Sequence, residues 1–322
     1  MQNIIKKTLI FVLTSVLFFS LPVFNVSAGE NSRVNLPFAG ESVNVKWSLS
    51  YFKKDAVKAG ENKNLAVICM ALCDASGNGS KAAEESLKKL GFKGIVSHHY
   101  DDDKLNYPGM TFAVNKKKVN GKWVVAAVFK GTDFNKNGDV QTDLNSVDDG
   151  FLPTGKNCLA ELKDYIKNDC PVKKLSKKNT ILFLTGHSLG AAAASEVTRL
   201  ASGKVAYKKN IFSYVYGTPN YDTDGKKAGD YKNLHTYVNA DDIVTKVPWD
   251  FGKLGTMHEY DYTELKGAKK ECFDKVYEYF YGKSYEENDT FWRGHTAYAY
   301  MSFILSGMKD KEVNEIMDQD FI

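Results

Sequence analysis

Cysteine is scarce in this chain: five residues among 322 are too few for a disulfide scaffold, and an odd number leaves at least one thiol free. Cys69 and Cys73 stand four apart on an expected helix, a spacing that packs well but bonds poorly. Cys158 and Cys170 are left as the one candidate bridge. An excess of either charge is missing too. The formal net charge is +4, of which Lys6 and Lys7 in the first 28 residues supply two, so the remainder gives no support for nucleic-acid binding. Internal repeats, low-complexity linkers, an apolar C-terminal tail and a recognisable carbohydrate-binding module are all absent. What remains is 43% hydrophobic and 25% charged, which is enough to bury a full α/β core in one domain over residues 29–322.

The first 28 residues read as something other than fold. Lys6 and Lys7 precede an apolar run from Thr8 to Phe24, broken by Pro22 and closed by the small residues Val26-Ser27-Ala28. This is the pattern of a secretory signal peptide cut after Ala28, so the mature chain is expected outside the cell.

The chemistry is concentrated at Gly186-His187-Ser188-Leu189-Gly190, a G-x-S-x-G sequence. The apolar Ile181–Leu184 before it has the length of a buried strand, and Ala191–Leu200 after it is rich in helix formers. A serine at such a strand-to-helix turn sits on strained backbone, and glycines two residues to either side remove Cβ atoms that would collide. Its hydroxyl needs a base to take the proton and an acid to orient the base, in the chain order Ser, Asp or Glu, His. Three histidines follow Ser188. His235 lies inside an expected strand, ahead of the best acids. His258 sits in GTMHEYDY, and His295 lies on the loop entering the last long apolar helix, where it can swing over the turn. His295 is therefore the expected base. The acid is sought where a strand runs into Asp241-Asp242. Adjacent side chains point apart, so only one can hold the imidazole; Asp242 is preferred and Asp241 is the reserve.

Six segments occur in one order: FKGT (129–132), TDLN (142–145), GHSLGAAAA (186–194), YGTPN (216–220), NADDIV (239–244) and GHTAYAY (294–300). Together, over about residues 61–307, they resemble the class 3 (fungal-type) lipases. The resemblance implies an α/β-hydrolase fold with a central, mostly parallel sheet flanked by helices. It implies a cofactor-free ester hydrolase with Ser188 as nucleophile, Asp242 as acid and His295 as base. Thr132, which ends FKGT, and Leu189 then supply the two oxyanion N–H groups, and a non-catalytic histidine before Glu-Tyr matches His258. Two amides fixed in advance stabilise a tetrahedral oxyanion without reorganising. Lys130 replaces the family's usual arginine, and Thr245 stands where proline is common. The expected partner is an acyl ester or lipid substrate, with transient contact at a lipid interface and no obligate protein partner. Phospholipase action, or removal of feruloyl or acetyl groups from polysaccharide, is the alternative chemistry. A non-catalytic binding protein on the same scaffold would have no need of Ser188, Asp242 and His295 together.

Two polar stretches invite other readings. His98-His99-Tyr100-Asp101-Asp102-Asp103 holds metal-capable side chains, but consecutive residues cannot all face one ion, so a solvated loop is expected. From Asp133 to Asp139 the spacing matches the start of a calcium loop, yet position twelve is Leu144 rather than a bidentate glutamate. A short polar lid over residues 133–143 is the preferred reading there. A separate lid over Trp249–Met257 stays open.

Overall fold

The computed structural model describes residues 32–102, 105, 107–132, 150–222, 228–319 and 321. The expected signal peptide, the TDLN segment and the lid or calcium stretch at 133–143 lie outside the described residues. Among those described, no helix is long and apolar enough to cross a membrane.

The centre is a seven-stranded sheet. Its strands run, in spatial as in chain order, β3 (Phe92–His98), β4 (Met110–Val119), β5 (Lys122–Phe129), β6 (Thr180–His187), β7 (Ile211–Tyr216), β8 (Leu234–Asn239) and β9 (Thr256–Tyr260). The first three pair antiparallel and the remaining pairings from β5 to β9 are parallel. The α/β-hydrolase architecture read from the sequence is the one observed. Asn120-Gly121 makes the β4–β5 turn with both residues at positive φ (47° and 75°), as a two-residue hairpin with right-handed twist requires.

The central strands are apolar on both faces because helices cover both. Along β5, Val124, Ala126 and Val128 join one core while Val125, Ala127 and Phe129 join the other. The first core receives α1 (Lys63–Gly77), α6 (Ala297–Ser306) and α7 (Asp310–Met317); α2 (Ser80–Lys89) also packs on this side through Leu87. The second receives α3 (Leu152–Asp164) and α4 (Leu189–Ala201). A third aromatic cluster, with Phe273, Tyr277 and Tyr285, forms between α5 (Ala268–Tyr281) and α6.

Three sequence readings need correction. An N-terminal hairpin of β1 (Ser32–Phe38) and β2 (Glu41–Trp47) was not expected; its alternating Val34, Leu36, Phe38, Val43, Val45 and Trp47 complete the first core. The Trp249–Met257 stretch is not one lid, because Thr256 and Met257 belong to β9, paired with His235 and Thr236, while Trp249 stays exposed. Finally, Cys158 and Cys170 are both buried and unbridged. Cys158 lies within α3 and Cys170 beyond the π-turn Tyr165–Asp169 that ends it, and all five cysteines are free thiols.

Candidate active site

Ser188 stands between β6 and α4 at φ 58° and ψ −128°, backbone that a non-glycine residue adopts only under strain. The surrounding packing holds it there. The Ser188 N–H donates to Tyr216 O at 3.0 Å, and a Cβ on Gly186 would lie 2.1 Å from Gly190 O. A Cβ on Gly190 would lie 2.3 Å from Phe129 O. Both glycines of the motif are thus required by contact between β5, β6 and the first turn of α4.

The structure brings Ser188, His295 and Asp242 together from three places in the chain. Ser188 Oγ donates to His295 Nε2 at 2.8 Å, and His295 Nδ1 donates to Asp242 Oδ2 at 2.8 Å. Asp242 follows β8 and is 1% exposed, yet its carboxylate is well solvated by protein: Oδ2 also accepts from Tyr300 Oη at 2.7 Å, and Oδ1 from Val244 N at 2.9 Å. Burial opposes its charge. The His295 hydrogen bond and charge, with the Tyr300 hydroxyl, outweigh that cost and hold the carboxyl below its ordinary range.

Asp241 points elsewhere, accepting from Tyr285 Oη at 3.0 Å and pairing with Arg293 at 3.3 Å. It anchors the Arg293–His295 turn instead of the imidazole. His258 and His235 lie 3.0 Å apart, ring nitrogen to ring nitrogen, within an aromatic stack that includes Tyr214 and Tyr237.

A cleft of about 540 Å³ opens at Ser188 and His295. Thr132 lines it together with Lys130, Gly131, Met70, Asp74 and Asn78. Leu189 opens α4, so its N–H belongs to the first-turn donors that find no acceptor within the helix. Thr132 and Leu189 therefore flank Ser188 from β5 and β6, where two parallel neighbouring strands end.

Several contributors were not read from the sequence. His187, the second residue of the motif, packs its ring 4.6 Å from that of His295. Burial and the neighbouring imidazole push its pKa down to about 3, so it is a neutral spacer. Gly217, at φ 59°, lies where a Cβ would come within 3.0 Å of the His295 ring and 3.1 Å of Asp242 Oδ2. Tyr300 accepts from Asn239 N at 3.3 Å while donating to Asp242, tying α6 to the end of β8. The motifs YGTPN and GHTAYAY contain Gly217 and Tyr300, so the signal was present in the chain without a role attached.

A family model described as lipase (class 3) matches residues 113–252. This stretch, under half of the chain, is similar to the class 3 lipases. It begins in β4 and includes both Ser188 and Asp242. No curated protein matches the chain. Among solved structures, the lipase of Rhizopus microsporus var. chinensis is similar at 16% identity, with 74% of this chain and 86% of that one covered and a TM-score of 0.41. The Rhizomucor miehei lipase propeptide complex aligns at 17% identity over 61% of this chain and 65% of its own, with a TM-score of 0.39. An extracellular lipase of Serratia marcescens aligns at 15% identity over 72% of this chain and 42% of its own, with a TM-score of 0.44.

Proposed function

We propose that the protein is a secreted serine ester hydrolase that works through an acyl-enzyme on Ser188. The reading is carried by one observation: the relay Ser188 Oγ–His295–Asp242, with both hydrogen bonds at 2.8 Å, opening onto a cleft. His295 Nε2 takes the Ser188 proton as Oγ attacks the ester carbonyl. The carbonyl π-pair moves onto oxygen, where Thr132 and Leu189 N–H groups stabilise the negative charge. Collapse expels the alcohol, which leaves with the proton held on His295. Water, deprotonated by His295, then attacks the acyl-enzyme, and the acid departs as Ser188 recovers its proton. Asp242 stays ionised throughout and stabilises the imidazolium.

Asp74, Asn78 and Lys130 give the cleft wall a polar character that favours small or polar acyl esters over long-chain triacylglycerol. Phospholipase or polysaccharide-acyl esterase chemistry uses the same residues. Hydrolysis by the mature protein of an ester series from acetate to long-chain triacylglycerol, phospholipid and feruloylated polysaccharide tests the preference. Labelling by an active-serine phosphonate should fall on Ser188 alone; a label elsewhere overturns the mechanism. Secretion is tested by sequencing the N-terminus of protein recovered from the medium, expected at Gly29.

A further inference from the structure

His98, His99 and Glu161 converge, although 63 residues separate His98 from the glutamate. Their ligand atoms all lie within 4.8 Å of one another. His98 Nδ1 is 2.9 Å from Glu161 Oε2, and His99 Nε2 is 3.2 Å from Glu161 Oε1. The expected solvated loop is found at Asp101 and Asp102, which are exposed, but not at His98–Tyr100, for a geometric reason. His98 ends β3, and His99 at φ 61° turns the chain, so the two rings face the same helix in spite of being consecutive. Their planes cross at 78° with centroids 5.6 Å apart. His99 Nε2 is shielded from water and has no aligned hydrogen-bond partner among the described residues.

We propose that His98, His99 and Glu161 form a binding site for a divalent transition-metal ion of the zinc type. Two imidazoles and a carboxylate are borderline ligands suited to Zn²⁺, and the two histidine–glutamate separations, 2.9 Å and 3.2 Å, approach the edge length of a tetrahedron with bonds of about 2.0–2.1 Å. Water fills the remaining position. The surroundings supply the outer partners that such sites use. Tyr107 Oη donates to Glu161 Oε1 at 3.2 Å and fixes the carboxylate. Asp169 Oδ2 lies 3.9 Å from His98 Nε2, so when the metal takes Nδ1 the imidazole proton resides on Nε2, facing that carboxylate.

The site is separate from the cleft. His98 pairs with Met110, Met110 with Phe129 and Phe129 with Gly186, which places the ion three strands, about 14 Å, from the serine turn. Bound there, it would clamp the end of β3 to α3. The loop it steadies continues to Tyr100, whose ring lies 5.9 Å from Lys130 Nζ, and to Gly109, whose carbonyl accepts from Lys130 N at 2.9 Å.

The test uses the full mature chain, stripped with chelator and titrated with Zn²⁺ against a chromophoric competitor while melting temperature is followed. One equivalent should bind at micromolar free zinc or below, and melting should rise by several degrees. His99→Gln and Glu161→Gln should each lose the shift and weaken binding by about 100-fold, and Asp169→Asn by about tenfold. His258→Ala, which alters the other histidine pair, should bind as wild type. No uptake by the stripped protein overturns the proposal, as does equal uptake by His99→Gln or its loss in His258→Ala. Should Glu161→Gln fail to fold without metal, His99→Gln decides, because that ring is a quarter exposed and anchors no core. Since the readout is binding and melting, it is independent of whether Ser188 is the nucleophile.

Discussion

Among the histidine–carboxylate pairs described along this sheet, the one at His295 faces a serine and the one at His258 does not. At the first, the His295 imidazole bridges Ser188 and Asp242 with hydrogen bonds of 2.8 Å, and the carboxylate is held by Tyr300 and Val244 N. At the second, His258 Nδ1 stands 3.9 Å from Glu61 Oε2, and its other nitrogen meets His235 instead of a hydroxyl. Tyr237 Oη, 2.8 Å from Glu61 Oε1, is the nearest counterpart of Tyr300. The residue types are nearly the same. The difference is the strained turn that presents Ser188 to the first imidazole, while the second packs against the rings of Tyr237 and His235 on β8. Composition supplies the parts, and the position of a single backbone kink decides which set can pass a proton.

The sharpest way to break this contrast is to remove the hydroxyl. Ser188→Ala should lower kcat for p-nitrophenyl acetate by about 10⁴-fold or more while the melting temperature stays near that of the parent, since no core cavity opens. His295→Ala should fall to the same depth and the double variant little further, because groups acting as one unit are not additive. Equal activity in either single variant would remove the distinction between the two pairs. Asp242→Asn should cost about 10³–10⁴-fold, with Asp241→Asn within about tenfold; reversed severities would assign the acid to Asp241.

Tyr300→Phe sharpens the comparison at its middle. Losing one hydrogen bond to a buried carboxylate should reduce kcat by roughly tenfold, or about 1.4 kcal/mol, with KM unchanged. His258→Ala should change kcat least, within about threefold, and a larger loss would show that the second pair serves the first.

Acid separates the pairs by stability. Burial and the charge of His258 depress the His235 pKa to about 4, well under its unfolded value of about 6.5. Between those values the unfolded chain binds the extra proton, so the stabilisation present above pH 6.5 drains away as pH falls toward 4. Melting temperature should decline across that window, and His235→Phe should flatten the decline. Asp242, also depressed, adds its loss only at lower pH, beneath the ordinary carboxylate range. An unchanged slope in His235→Phe would discount this account of the second pair.

What could be read from the chain was local, or ordered along it. The strand, glycines and helix around Ser188 announce the turn, and Asn120-Gly121 announces a hairpin, because each depends on a few neighbouring residues. That adjacent side chains diverge limited the acid to one of Asp241 and Asp242, and the resemblance at NADDIV supplied the preference for Asp242. What could not be read depends on partners remote in sequence. Glu161 meets two histidines through the packing of α3 on the antiparallel end of the sheet, and no spacing rule links them. Gly217 looks like an ordinary turn glycine until the imidazole is in place above it. Cys158 and Cys170 were the one candidate bridge left by the sequence, whereas in the structure the π-turn lies between them and both remain free thiols within one apolar core. The lost bridge and the gained cluster have one origin: contacts across α3 follow its face and not its numbering.

The five buried thiols carry a consequence beyond the missing bridge. Burial raises the Cys73 and Cys272 pKa values to about 12, which leaves almost no thiolate to react. Cohesion that rests on two apolar layers and no sulfur cross-link does not depend on the oxidant balance around the molecule. Such a chain can mature without disulfide-forming machinery and can work in oxygen-free surroundings, where reductants would take apart a scaffold that relied on bridges.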